Sequence, residues 1–286
     1  MILRVFPRKT KATPDDPNVW FGGPPAFPPE DWGEIEEVHV SVVFTWDLTR
    51  GQQIAEAWRA CDYIKGPVKI GGPATGMRGE EFVPGQYLRK GYVITSRGCP
   101  NRCSFCSVWR RDGSTRELPI TEGWNLQDDN ILACSDKHFL NVIDMLGRQK
   151  HPAWFTGGIE SARLQQWHAE AMKSIKPAQI FVGYDSPDDY DGLVEAGKKF
   201  HKAGFSKSSH TLRAYVLIGY PGDTCEKAED RMYKALGAGF FPMAMLMRDE
   251  QGRKNKAWAK FQRLWARPAL IYARTQEKPW EPKLSS

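Results

Sequence analysis

The chain is predicted to be an α/β protein, an open partial (β/α)6 TIM-like barrel preceded by a small α/β unit. Three observations predict this. From residue 91 onward short apolar runs alternate with segments of helical periodicity about every 30 residues, the pattern of parallel strands joined by right-handed crossovers. There are six such strands, too few for a closed eight-stranded barrel. The notable polar residues fall at the C-terminal ends of those strands, where parallel α/β proteins place their chemistry.

Taken in order, residues 7–33 are rich in Pro and Gly and exclude a long helix or a central strand. Trp20, Phe21, Phe27 and Trp32 give this arm apolar surface to bury, so it is expected to be an ordered loop. Val38, Val40 and Val42 alternate with His39 and Ser41 as in a strand. Ile54, Trp58, Cys61 and Ile64 recur at helical spacing, which predicts a helix over 51–64. Residues 68–73 read as a short strand ending in a tight turn. The barrel strands are expected at 92–96, 124–127, 153–156, 179–184, 212–219 and 240–247. Phe139, Val142, Ile143 and Leu146 mark one helix between them; Leu164, Trp167, His168, Ala171 and Ile175 mark a second, and Tyr190, Leu193, Val194, Gly197 and Phe200 a third. Trp258, Phe261, Leu264 and Trp265 share one face of a C-terminal helix, followed by an irregular tail with Pro268, Pro279 and Pro282. This divides the chain into 1–88, 89–250 and 251–286.

Composition narrows the class. With 286 residues, 41% hydrophobic and 26% charged, the chain can bury a sizeable core. Its 40 basic and 34 acidic residues leave a net charge of +6 with no block of like charge, which speaks against a nucleic-acid-binding tail. No apolar run approaches the roughly 18 residues of a membrane span, and Met1–Lys9 lacks the apolar core of a signal peptide. No membrane association and a cytoplasmic location are therefore expected. There thiols stay reduced, and clustered cysteines are metal ligands more often than disulfides.

Of six cysteines, Cys99, Cys103 and Cys106 crowd into eight residues, whereas Cys61, Cys134 and Cys225 are scattered. The segment Arg97-Gly98-Cys99-Pro100-Asn101-Arg102-Cys103-Ser104-Phe105-Cys106 directly follows an apolar strand. Three thiolates on one loop can hold three irons of a [4Fe–4S] cube, leaving one iron open to a ligand. Gly98 and Pro100 favour a tight loop. Three other readings exist. A zinc site would need Cys134, Cys225 or a histidine to close it. A ferredoxin-type carrier would need a fourth cysteine in register. The three cysteines could also be unrelated and buried.

The loop resembles that of the radical S-adenosylmethionine superfamily, whose hallmark is C-x3-C-x2-C after the first barrel strand with an aromatic residue before the third cysteine. Cys99, Cys103, Phe105 and Cys106 match at every position, Gly98 and Pro100 match the common form of the loop, and the likeness covers about residues 90–250. It implies an enzyme in which a [4Fe–4S] cluster on the three cysteines chelates S-adenosylmethionine and cleaves it reductively to a 5′-deoxyadenosyl radical. That radical abstracts hydrogen from a peptide, RNA or small-molecule substrate. Reduced ferredoxin or flavodoxin is the implied electron donor. Phe105 would lie near the adenine. At the end of the second strand Asp128-Asp129-Asn130 replaces the commoner Gly-Gly-Glu, so Asp128 or Asp129 would meet the methionine amino group. Asp185 and Ser186 would suit the ribose hydroxyls, and Gly219 would bring backbone to the adenine.

Thr156-Gly157-Gly158-Ile159-Glu160 also resembles the Gly-Gly-Glu motif but is expected after the third strand. There Glu160 and Arg163 line the substrate region, or Glu160 starts a helix. The N-terminal unit, with Ile70-Gly71-Gly72-Pro73, resembles a shortened cobalamin-binding domain. Its motif Asp-x-His-x-x-Gly is missing, so no cobalamin is expected. The competing function is a non-catalytic zinc or iron–sulfur module whose tryptophans and positive charge meet nucleic acid.

Overall fold

The first strand, β1 (Ile2–Phe6), lies at the centre of a sheet that the sequence reading did not anticipate around it. In the computed structural model, residues 1–206, 209–266 and 268–277 are described. They form an α/β protein with parallel sheets, divided into two compact units. The first comprises Met1–Gln149 with Glu250–Gly252. The second runs from Lys150 to Asp249 and resumes at Arg253. The boundary expected at residue 88 falls inside the first unit, and Pro279 and Pro282 of the expected tail lie outside the described residues.

In the first unit, β1 is flanked in parallel by β2 (Val19–Phe21) and β3 (Glu37–Ser41). The helix α1 (Leu48–Arg59) then leads to β4 (Val68–Gly71), giving the order β2-β1-β3-β4. Leu3, Val5, Val38, Val40, Val42, Ile54, Ala55 and Trp58 form its core. Trp58 is 0% exposed and donates from Nε1 to the Gly22 carbonyl at 3.0 Å. Trp32 packs on Trp58 at 6.1 Å, and Trp20 meets Trp32 edge-on at 5.2 Å. These rings order the Pro/Gly-rich arm, although Phe27, expected to be buried with them, is 83% exposed. The helix ends at Arg59, so Cys61 and Ile64 lie beyond it.

The strand expected at 92–96 is two short pieces, β5 (Tyr92–Val93) and β6 (Ser96–Arg97). The helix α2 (Val108–Arg111) follows, and β7 (Arg116–Glu117) pairs antiparallel with β6. The strand β8 (Asn125–Leu126) pairs in parallel with β5. Ser135 then caps α3 (Asp136–Gly147) by accepting from the His138 N–H at 3.2 Å.

In the second unit four parallel strands run in the order β12-β11-β10-β9, each joined to the next by a helix. In chain order they are β9 (Trp154–Ile159), α4 (Gln166–Ser174), β10 (Gln179–Tyr184), α5 (Tyr190–Lys202), β11 (Leu212–Ile218), α6 (Cys225–Gly237) and β12 (Phe241–Leu246). The C-terminal helices are α7 (Lys256–Leu264) and α8 (Pro268–Glu277). Leu212, Ala214, Val216 and Ile218 are buried on alternate positions of β11, as period two requires. The residues 156–159, expected after a strand, lie inside β9. Its register against β10 shifts between Ile180 and Val182, so Gly157 and Gly158 are absorbed in a bulge rather than a turn.

Candidate functional site

The cysteine loop leaves β6 at Gly98 and re-enters the hairpin at β7. Gly98 has φ +86°, a left-handed conformation, and a Cβ there would lie 2.3 Å from the Ser114 carbonyl oxygen. Only glycine lets the two arms of the loop approach so closely. The closure is completed by the Cys99 N–H, which donates to the Gly113 carbonyl at 3.0 Å. Within the loop the Cys106 N–H donates to Cys103 O at 3.2 Å, and Trp109 Nε1 donates to the same oxygen at 3.1 Å. Cys103 is exposed, while Cys99 and Cys106 are half-buried. Burial pushes the Cys106 thiol above its ordinary pKa.

Three consecutive residues after β8 reach this loop. Asp128, 2% exposed, receives the Thr95 N–H at 2.6 Å, the Thr95 hydroxyl at 2.6 Å and the Ser96 hydroxyl at 2.7 Å. His138 Nε2 lies 3.3 Å from the same Thr95 hydroxyl. Asp129 Oδ2 receives the Gly98 N–H at 2.9 Å, and its Oδ1 lies 3.7 Å from Arg111. Asn130 Nδ2 donates to Cys99 Sγ at 3.4 Å. Burial raises the pKa of both aspartates. Asp128, expected at the methionine amino group, is thus engaged beneath the loop, and Asp129 lies against its first residue.

A second clip lies at the other end of the loop. The fully buried Asp112 carboxylate accepts from Arg111 Nε at 2.6 Å and from the Gly79 N–H at 2.8 Å. Arg116 donates to the Gly79 carbonyl. Burial lowers the pKa of neighbouring Arg97, which donates to Glu80 O at 3.3 Å. Arg111 and Asp112 are not singled out by the sequence, and Asn130 stands out there only as part of Asp128-Asp129-Asn130. The only signal was their position just after the motif and after Asp129, because buried polar partners are set by the tertiary fold. Phe105 is 48% exposed.

In the second unit, Asp185 and Ser186 follow β10. Ser186 N–H and Oγ both donate to Asp189 Oδ2, at 2.8 and 3.0 Å, closing a cap on the following helical turn. Among the described residues no donor reaches the Asp185 carboxylate. Burial, reinforced by Asp189, pushes its pKa up to about 6. A desolvated carboxylate without a protein donor is what a hydroxyl-bearing ligand would satisfy. Gly219, after β11, has φ +75° and donates from its N–H to Asp223 at 2.9 Å; Asp223 pairs with buried Arg231 at 2.8 Å. A Cβ on Gly219 would meet Leu246 and Trp258, so packing already requires this glycine. Glu160 accepts from Arg163 Nε at 2.8 Å and precedes the turn Ser161–Arg163.

Among the described residues no three His, Cys, Asp or Glu side chains gather as the ligand set of one metal ion. A cube places one thiolate on each of three irons, so its donors need not converge on a point. The donor set here suits that demand: three thiols on one glycine-closed loop, an amide donor on Cys99 sulfur, and the cationic Arg111 close by. Burial raises the Cys134 thiol to a pKa of about 11, and Cys225, the first residue of α6, is half-buried with its pKa also raised. Neither the family models nor the curated proteins give a match to this chain.

Proposed function

We propose that this chain is a radical S-adenosylmethionine enzyme that holds a [4Fe–4S] cluster on Cys99, Cys103 and Cys106. We further propose that its parallel strands from β5 to β12 belong to an open, partial (β/α)6 barrel. When bound, the reduced cluster supplies the electron for splitting S-adenosylmethionine into methionine and a 5′-deoxyadenosyl radical, which takes a hydrogen atom from the substrate. The observation that carries the reading is the C-x3-C-x2-C loop, closed by Gly98 and held by Asp129 and Asn130.

The chain's own residues divide the remaining tasks. Gly98 and Asp129 fix where the loop begins, so the three thiols start from a set backbone. Asp129 is the better placed carboxylate for the methionine ammonium, since Asp128 already receives three hydrogen bonds. Phe105 gives the adenine an apolar face. Asp185, whose carboxylate no donor among the described residues reaches, accepts the ribose hydroxyls. The proposed location is the cytoplasm, with reduced ferredoxin or flavodoxin as electron donor.

The test is anaerobic reconstitution with iron and sulfide, followed by dithionite reduction in the presence of S-adenosylmethionine. A brown protein that releases 5′-deoxyadenosine is expected, with release abolished by Cys99→Ala, Cys103→Ala or Cys106→Ala. A colourless zinc-binding protein would replace this reading with that of a structural metal module.

A further inference from the structure

We propose that Asn130 is a positioning residue that sets the reduction potential of the cluster through its amide N–H on Cys99 sulfur. This rests on the cluster assignment above. Its basis is the order of contacts along two segments. Asp128 meets Thr95 and Ser96, Asp129 meets Gly98, and Asn130 meets Cys99. One stretch of chain therefore runs alongside the other in the same order, from Thr95 to the first cysteine. The segment 128–130, which stands in place of a Gly-Gly-Glu, contacts the loop through Asp129 and Asn130.

Asn130 is fixed at both ends of this arrangement. It is buried, and its carbonyl accepts the Ala133 N–H at 3.1 Å in the turn Ile131–Ala133. Ile131 and Leu132 are themselves buried, which anchors the turn. The amide thus reaches the sulfur from a backbone held by this anchored turn. An N–H donor draws charge from a cluster thiolate, and the draw matters more when the cluster carries one more electron. The bond therefore favours the reduced state and raises the potential.

The experiment is a redox titration of the reconstituted protein, dithionite as reductant, followed by the electron paramagnetic resonance of the reduced cluster. Asn130→Ala removes the donor. Asn130→Asp keeps the shape and replaces the donor with an anionic oxygen. Both variants are expected to lower the potential, Asp more than Ala. At a poise where the parent protein is half reduced, the ratio of reduced to oxidised cluster in Asn130→Asp should fall at least tenfold, about 59 mV for one electron. A purely structural role would change iron content without this order. Variants that load iron normally and keep the parent potential overturn the inference while leaving the enzyme reading intact. A parent protein that takes up no cluster overturns both. If neither variant loads, the parent protein decides: pulsed resonance on protein labelled with 15N-asparagine should show a side-chain nitrogen coupled to the reduced cluster, and its absence overturns the inference.

Discussion

Replacing Asp185 by asparagine should make the protein more stable at alkaline pH and leave it nearly unchanged at acid pH. In the folded state burial, with Asp189 nearby, moves the Asp185 pKa from its ordinary 3.8 up to about 6. The native state therefore binds more protons than the unfolded chain between these values. Stability falls as pH rises through that window, and the penalty is complete above pH about 6. The displacement corresponds to about 3 kcal/mol of preference for the neutral form, or about 1–3 kcal/mol once the partial exposure of the group is allowed for. Asparagine carries no charge to desolvate. Asp185→Asn should gain that amount at pH about 8 and little below pH about 4, with most of the change between pH about 4 and 6. Urea unfolding across this range, with parent and variant side by side, measures it. A gain that does not depend on pH, or a loss at pH about 8, would refute the argument. The same substitution should weaken adenosyl-ligand binding, because an amide accepts fewer hydroxyl donors than a carboxylate.

Three further outcomes follow from the packing. Gly98→Ala should lower both thermal stability and iron uptake on reconstitution: the left-handed backbone costs about 1–2 kcal/mol with a Cβ, and the contact with the Ser114 carbonyl adds to it. Trp58→Ala should destabilise the N-terminal sheet by about 3–5 kcal/mol, seen as a lower midpoint in chemical denaturation, because the ring is fully buried and also anchors Gly22. Asp128→Ala should cost about 3 kcal/mol or more in the same assay, since three buried donors from Thr95 and Ser96 lose their acceptor together.

How far the sequence carried depended on the kind of interaction. The strand β10 was read at Gln179–Tyr184 and found there, because an apolar run bounded by polar residues is a local signal. The helices α3, α4 and α5 were legible from apolar residues at three- and four-residue spacing, also a local signal. The strand β1 was not. Arg4 interrupts its apolar run, and only the folded chain shows that Arg4 is buried, paired with Asp16 and donating to the Gly85 and Gln86 carbonyls. In β9, Gly157-Gly158 lies past the strand end expected at residue 156, yet the irregular register against β10 carries the strand onward through both. At the cysteine loop the spacing of three thiols is local and visible. The hydrogen bonds from residues 128–130 and from Asp112 span about thirty positions in sequence and depend on tertiary placement, so no pattern announces them.

The Gly79–Asp112 clip has a consequence for how this protein can be dissected. The strand-free segment that leaves the N-terminal sheet is fastened by its backbone to a carboxylate one residue past α2, and Arg116 holds the same glycine from the other side. A chain begun at residue 89 would lose these partners and leave a buried carboxylate short of a donor, at a cost of about 1–3 kcal/mol. The leading residues are thus a brace for the cysteine hairpin rather than a detachable module, and a minimal version of this protein should begin no later than the residues just before Gly79.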